Sequence, residues 1–365
     1  MRFPGINILD RYLIKKFLSV LFFALAGMVT IFVAVNYVEN ADRFIDRKVP
    51  GNIIAEYYLN FIPHIITLTL PVDILLASLF SIGSLARFNE LTAIKAGGRS
   101  LYRVLFPIIV LALLVSAVNF YISEAIVPPA NITKSEIWKS YVERASANRK
   151  VIGTDIHIYD PSGTKVFIDK FDKRNRIISV MSIQQFYGTK LISRIDAGEA
   201  TWDSTEAAWI LRDVVERRFT DSTETVIKHP TLAKRDLFFD PSDILRREQN
   251  PDEMNFIELR DFIHKLKRGG AQTERWETDY QLKFAYPLTC FFMVLFGAPL
   301  AASRKKSGAG INIFFTLVIC LAYWSVIQTG RFMGYNQSMD PVTAAWLGNS
   351  VFGVLSLLIF LRMKS

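Results

Sequence analysis

The chain has 365 residues, a formal net charge of +9 and 51% hydrophobic residues. Its positive excess lies in short segments between long apolar runs, while residues 124–283 balance to neutral, so a nucleic-acid-binding face is not needed to explain it. The two cysteines, Cys290 and Cys320, both fall in apolar runs and offer neither a disulfide framework nor metal-ligand spacing.

Arg2, Arg11, Lys15 and Lys16 precede the first apolar run, Phe17–Val38. That run is too long for a cleavable signal peptide, and no small-residue cleavage site follows it. A helix rises about 1.5 Å per residue, so crossing a hydrocarbon core of about 30 Å takes roughly 20 residues. Phe17–Val38 meets this requirement. Tyr57–Ala86, Val104–Ser123, Phe284–Ser303, Ser307–Gly330 and Pro341–Leu361 meet it too. Lysines and arginines crowd alternate gaps: Arg87, Lys95, Arg99 and Arg103 after the second run, Arg304–Lys306 after the fourth, Arg362 and Lys364 after the last. Such clusters stay in the cytoplasm, which predicts six spans with both termini inside. Tyr12, Tyr57, Tyr58, Tyr102, Trp276, Tyr280 and Trp346 stand where membrane interfaces are expected. A soluble protein with several buried helices is the competing reading, but it does not explain the matched charge flanks.

The second run contains Pro63 and Pro71, read as kinks, and Asp73. Asp73 lies about 20 Å along the helix from Arg87, deep in the bilayer. A carboxylate there either faces a cavity, a partner or a substrate, or packs as a protonated or hydrogen-bonded group. The following segment runs from Arg87 to Gly98. Arg87, Glu90, Leu91 and Ile94 share one helical stripe, Lys95 follows, and Gly97-Gly98 supply a stop. A short helix exposed to the cytosol suits either docking of another protein or an interfacial position on lipid headgroups.

Residues 124–283 read as an extracytoplasmic insertion. Asn131–Ala147 is polar, helix-compatible and extends the third span. From Val151 the period becomes two, with β-rich runs at Ile156–Tyr159, Lys165–Ile168, Ile177–Ile183, Leu191–Ile195, Trp209–Val215 and Val226–Ile227. Asp160-Pro161-Ser162-Gly163, Asp196-Ala197-Gly198 and Asp240-Pro241 read as turns between them. The pattern predicts an antiparallel sandwich or jelly roll of about 90 residues. Helix returns at Asn255, where Asn255 and Glu258 resemble a capping box. Phe256, Leu259, Phe262 and Leu266 share a face, Gly269-Gly270 end the element, and Thr273–Lys283 feeds the fourth span. These helices either cover the base of the domain or relay motion to the membrane.

No G-x-x-x-x-G-K-[ST] phosphate loop and no G-x-S-x-G elbow occurs, and His64, His157, His229 and His264 have no ligand spacing. The expectation is a chain without its own nucleotide site, cofactor or metal, and not an enzyme. The fold class expected is an α-helical membrane protein with six transmembrane helices, three and three, around an inserted β-jelly-roll domain. Its divisions are 1–123, 124–283 and 284–365, with a coupling helix at 87–98.

In this order and spacing the chain resembles the lipopolysaccharide export permease family (LptF/LptG). The matching residues are Leu9-Asp10-Arg11-Tyr12, Glu90-Leu91-Thr92-Ala93-Ile94-Lys95-Ala96-Gly97-Gly98, Lys283-Phe284-Ala285-Tyr286-Pro287-Leu288 and Ala344-Ala345-Trp346-Leu347. The first of these looks more like the G-type subunit. The resemblance implies half of an inner-membrane transporter that pairs with a paralogous permease. A separate cytosolic ABC ATPase dimer would dock at Arg87, Glu90, Leu91, Ile94, Lys95, Gly97 and Gly98. Lipopolysaccharide would pass through the periplasmic jelly roll to a single-span periplasmic bridge protein. A lipid with several acyl chains needs an apolar wall, for which Phe32, Asn36, Phe61, Phe314, Leu317 and Leu321 are candidates. Its phosphates need cations, for which Arg43, Arg47 and Lys48 form a candidate rim, with Lys134 and Lys139 comparable above span three. The chain departs from the family pattern in two places: some relatives carry a Lys near the position of Asn36, and Asp73 replaces an apolar or small residue. The rival reading is a membrane-anchored receptor or scaffold whose β domain binds a ligand. Such an anchor would have no use for a coupling helix.

Overall fold

The computed structural model describes residues 7–142, 152–159, 163–172, 175–188, 190–220, 223–235, 237, 239–241, 244, 250–268, 272–303 and 309–362. Arg2, Arg304–Lys306, Lys364, Asp160-Pro161-Ser162, Gly269-Gly270 and the last residues of the predicted Asn131–Ala147 helix lie outside the described residues. The chain folds into two compact units: Met1–Trp138, Pro251–Phe256 and Glu274–Ser365 form one, Lys139–Asn250 and Ile257–Thr273 the other.

The first unit holds the membrane helices. They are α1 (Ile8–Asp46), α2 (Gly51–Arg87), α4 (Leu101–Tyr121), α7 (Glu274–Ser303), α8 (Ala309–Tyr335) and α9 (Pro341–Arg362), each long and apolar enough to cross a membrane. A short α3 (Glu90–Ala96) follows α2. The residues after α4 stay helical through a π-helical turn (Ile122–Ile126), α5 (Val127–Ile137) and a second π turn (Trp138–Val142), at which the chain passes from the first unit to the second. α1 also outruns its predicted span. Asn40–Asp46 is helical, which places Arg43 on the last turn of a helix rather than in a loop.

α2 is the centre of the bundle: 72% of its apolar stretch is buried, against 6% for α1 and 22% for α8. Lipid supplies no hydrophobic drive between helices, so close approach depends on small residues and interhelical hydrogen bonds. Both occur here. A methyl group on Gly297 of α7 would lie 2.5 Å from Leu75 of α2, and one on Gly330 of α8 would run into the Ala344 carbonyl oxygen of α9. Asn349 of α9 donates to the Ala285 carbonyl (2.7 Å) and accepts from the Tyr323 hydroxyl of α8, which also meets Thr289 of α7 at 2.8 Å. Tyr102 at the start of α4 donates to the Phe360 carbonyl of α9 (3.1 Å). Together with the contacts of α1 and α3 described below, this places both ends of the bundle chain and α3 at one end, here called the terminal end.

The second unit carries an antiparallel sheet of β1 (Ile152–Tyr159), β2 (Thr164–Asp172), β3 (Ile177–Tyr187), β4 (Lys190–Asp203), β5 (Ala208–Thr220) and β6 (Thr223–Lys234), paired in chain order. The inserted β domain is therefore antiparallel, as expected. Its described strands succeed one another as a meander, with no crossing connection among the described residues. Val166, Ile168, Phe171, Ile178, Met181, Ala200, Trp209 and Leu211 form the core with Phe239 and Ile244, and the Trp209 indole donates to the Phe239 carbonyl at 3.0 Å. The Asp196-Ala197-Gly198 turn signal does not reverse the chain, because β4 passes straight through it. Instead a row of residues, Asp169, Val180, Gly198, Asp213 and Pro230, is skipped by the ladder pairing across β2 to β6, while the register is the same on both sides of it. Val180 and Asp213 have positive φ there (59° and 51°). A lone glycine inside a strand marks such an irregularity as readily as a turn. α6 (Phe256–Arg268) follows, burying Leu259, Phe262 and Leu266 as its spacing predicts, with Phe256 only partly covered.

Candidate functional site

At the terminal end, Arg87 closes α2, and Asn89 in the left-handed region (φ 58°) breaks the helix before α3 begins. Arg87 therefore does not share a stripe with the α3 residues. Leu91 is 5% exposed and sits in the bundle core, with Ile94 packed against it. The stripe expected to face the cytosol thus faces the bundle. A helix of seven residues is not stable alone and is held by burying its apolar side. Its exposed face is Thr92, Ala93, Lys95 and Ala96, continued by Gly97 and Gly98. Glu90 points toward α1: its carboxylate accepts from the Tyr12 hydroxyl at 2.9 Å and lies 3.6 Å from Lys16 Nζ.

The lipid-wall candidates lie on three neighbouring helices, since α2 packs against both α1 and α8. Phe32 on α1 and Phe314, Leu317 and Leu321 on α8 are exposed, with 62% of Phe314 uncovered. Asn36 and Phe61 are half-buried; the Tyr58 hydroxyl donates to Asn36 (3.2 Å). Asp73 does not join them. It is 1% exposed inside the bundle, and its Oδ2 has no hydrogen-bond partner among the described residues.

The rim candidates stand at the opposite end. Arg43, Arg47 and Lys48 are all exposed, with Lys48 at φ 51° just past the helix. The Arg43 guanidinium lies 5.5 Å from the Trp138 ring, above a cluster of Phe44, Tyr57 and Tyr58. Lys134 and Phe61 come together, with Nζ 4.5 Å from the ring centre. Lys139 is exposed on the second π turn.

Sequence reasoning missed a charged junction at this end. Glu124, in the first π turn, accepts from the Phe256 backbone N–H (2.6 Å) and Lys283 Nζ (3.2 Å). Asp279 of α7 accepts from Arg331 of α8 (2.8 Å) and from the Tyr335 hydroxyl (2.6 Å). A cavity of about 330 Å³ lies beside them, lined by His64, Thr67, Ser123, Asp279, Tyr286 and Arg331 among others. Each charged residue stood visibly near the end of a span, but nothing local named its partner across the bundle. Among the described residues no group of three or more metal-ligating side chains gathers.

A family model described as "Lipopolysaccharide export system permease LptF/LptG" matches residues 11–362. The chain belongs to that family. Its curated relatives include the lipopolysaccharide export system permease protein LptG of Escherichia coli strain K12, 19% identical over 359 residues and 98% of each chain. LptG of Haemophilus influenzae is 21% identical over 96% of this chain and 94% of its own. LptF of Escherichia coli strain K12 is 22% identical with the same coverage. The LptF/LptG-family chain thus resembles both subunit types at similar identity, and its six apolar helices suit the inner-membrane permeases it resembles.

Proposed function

We propose that the chain is one half of the membrane part of a lipopolysaccharide exporter and has no nucleotide site of its own. It pairs with a paralogous permease through the uncovered faces of α1 and α8. Its termini and α3 face the cytoplasm, where an ABC ATPase dimer docks on the exposed side of α3. Lipopolysaccharide is drawn in along the wall formed by α1, α2 and α8, with its phosphates met by Arg43, Arg47, Lys48 and Lys134. It is then passed by way of the β domain to a periplasmic bridge protein.

The observation that carries this reading is the uneven covering of the bundle. Helices flanking a well-buried α2 are left with long apolar faces, since only 6% of the apolar stretch of α1 and 22% of that of α8 are buried within this chain. Two such faces beside one central helix are where a second permease subunit fits, giving α1 and α8 the helix neighbours that this chain does not supply. Photocrosslinkers at Phe32 and Phe314, in a strain producing the full chain, test it. The expected result is adducts with lipopolysaccharide or with a second permease. Adducts with phospholipid alone at both positions would refute the reading.

A further inference from the structure

The surface between α1 and α4 at the terminal end carries a groove that lies outside the proposed transport path. It measures about 550 Å³ and is lined by Ile14 of α1 and by Phe106, Pro107, Val110, Leu111 and Leu114 of α4, with Asp10 and Arg103 at its mouth. The α4 residues follow one helical stripe, and Phe106, Val110 and Leu114 are exposed to the bilayer. The mouth is polar in two senses. Arg103 gives one guanidinium nitrogen to Asp10 Oδ2 at 2.9 Å, yet its side chain stays 34% exposed, with further N–H donors turned outward. Asp10 Oδ2 also receives the Asn7 backbone N–H at 3.2 Å, and Oδ1 has no hydrogen bond from the described residues. Pro107 sits four residues after Arg103 and has no N–H, so the Arg103 carbonyl loses its usual helical donor and faces the pyrrolidine ring at the groove.

An anion-binding donor therefore stands beside a carboxylate oxygen without a partner among the described residues, at the top of an apolar trough within a membrane span. We infer that this groove is a binding site for a glycerophospholipid with a primary ammonium headgroup, that is, phosphatidylethanolamine. Its phosphate takes the free Arg103 N–H groups by charge-assisted bonds. Its ammonium donates to Asp10 Oδ1. One acyl chain lies along Pro107, Val110, Leu111 and Leu114. A phosphatidylglycerol headgroup would satisfy the guanidinium but offer the Asp10 carboxylate only neutral hydroxyl donors and no positive charge, and a choline headgroup has no N–H to give. A protein helix in the trough would fill it but would have to bring its own zwitterion to the mouth. The inference is independent of what the chain transports; on the orientation proposed above the lipid belongs to the cytoplasmic leaflet.

The full-length chain, reconstituted in nanodiscs of equal phosphatidylethanolamine and phosphatidylglycerol, is released into the gas phase and its retained lipids are weighed by native mass spectrometry. Wild type should keep one phosphatidylethanolamine in about tenfold preference over phosphatidylglycerol, the scale of one charged hydrogen bond. Asp10→Asn should erase the preference while keeping a lipid. Val110→Trp, a bilayer-facing change that fills the trough without touching the ion pair, should abolish retention. A photocrosslinker at Leu114 should give phospholipid adducts. Equal retention of both lipids by wild type, unchanged retention in Val110→Trp, or a protein adduct at Leu114 would each overturn the assignment.

Discussion

Glu124 and Lys283 form the most deeply buried ion pair across the bundle among the described residues, with side chains 7% and 11% exposed. At 3.2 Å and an effective dielectric constant of about 20, the attraction is about 5 kcal/mol before desolvation. Desolvation removes much of that, so the informative change is one that strands a single charge. Glu124→Gln keeps an oxygen for the Phe256 N–H but leaves Lys283 unpaired. Breaking a buried pair this way costs about 3–5 kcal/mol, and the retained hydrogen bond puts this variant near the lower figure. For a unit of this size each kcal/mol moves the midpoint by about 2–4 °C, so Glu124→Gln should melt roughly 6–12 °C early. Glu124→Gln with Lys283→Gln removes both charges and should recover about 2 kcal/mol of the loss. Thermal unfolding of the purified full-length chain in one detergent, followed by tryptophan fluorescence, measures all three. A single variant within about 1 °C of wild type, or a double variant no better than the single, would show that the pair does not hold the junction.

Three further outcomes are expected. Glu90→Ala should free α3 from Tyr12 and Lys16, lowering recovery of a co-expressed ATPase several-fold in pull-downs while the melting point moves by about 1 °C or less, as for other exposed pairs; undiminished recovery would remove Glu90 from coupling. A cysteine at exposed Ser204, with Cys290 and Cys320 replaced by Ala, should react with a membrane-impermeant maleimide once only the outer membrane is opened; labelling that requires lysis of the inner membrane would reverse the proposed orientation. Gly330→Ala should push α8 from α9 and destabilise by about 1–3 kcal/mol, whereas Gly310→Ala, with open space around it, should change little; equal melting of the two would mean that the α8–α9 contact tolerates the methyl group.

The spans were legible because lipid imposes a length and a charge pattern that survive in one dimension. Phe17–Val38 and, over their described residues, its five counterparts therefore fall within observed helical segments. Period-two runs likewise located all six strands. What failed was anything decided by which neighbour arrives from far along the chain. Leu91 and Ile94 look like a presented stripe until α2 is known to pack against α3 and draw them into the bundle core. Asp196-Ala197-Gly198 has the composition of a turn, but the pairing of β4 with β3 and β5 on both sides keeps it in the sheet. Asp73 could be placed at bilayer depth by counting, yet whether it faced inward or outward depended on α7 and α8. Tyr12, Lys16 and Glu124 carried no signal of their partners, since each contact spans 74 residues or more in sequence.

The Glu124 junction also sets a timetable for biosynthesis. Glu124 and Lys283 are 159 residues apart, with the whole β insertion between them. At roughly 5–20 residues per second, the ribosome delivers Lys283 about 8–30 s after Glu124. Throughout that interval the newborn chain holds three helices in the bilayer, an uncompensated carboxylate at the mouth of the third, and α2 without the helix that covers its inner face. The nascent half-bundle must be sheltered until α7 emerges, and a chain truncated before residue 283 should be a substrate for membrane proteolysis rather than a stable fragment.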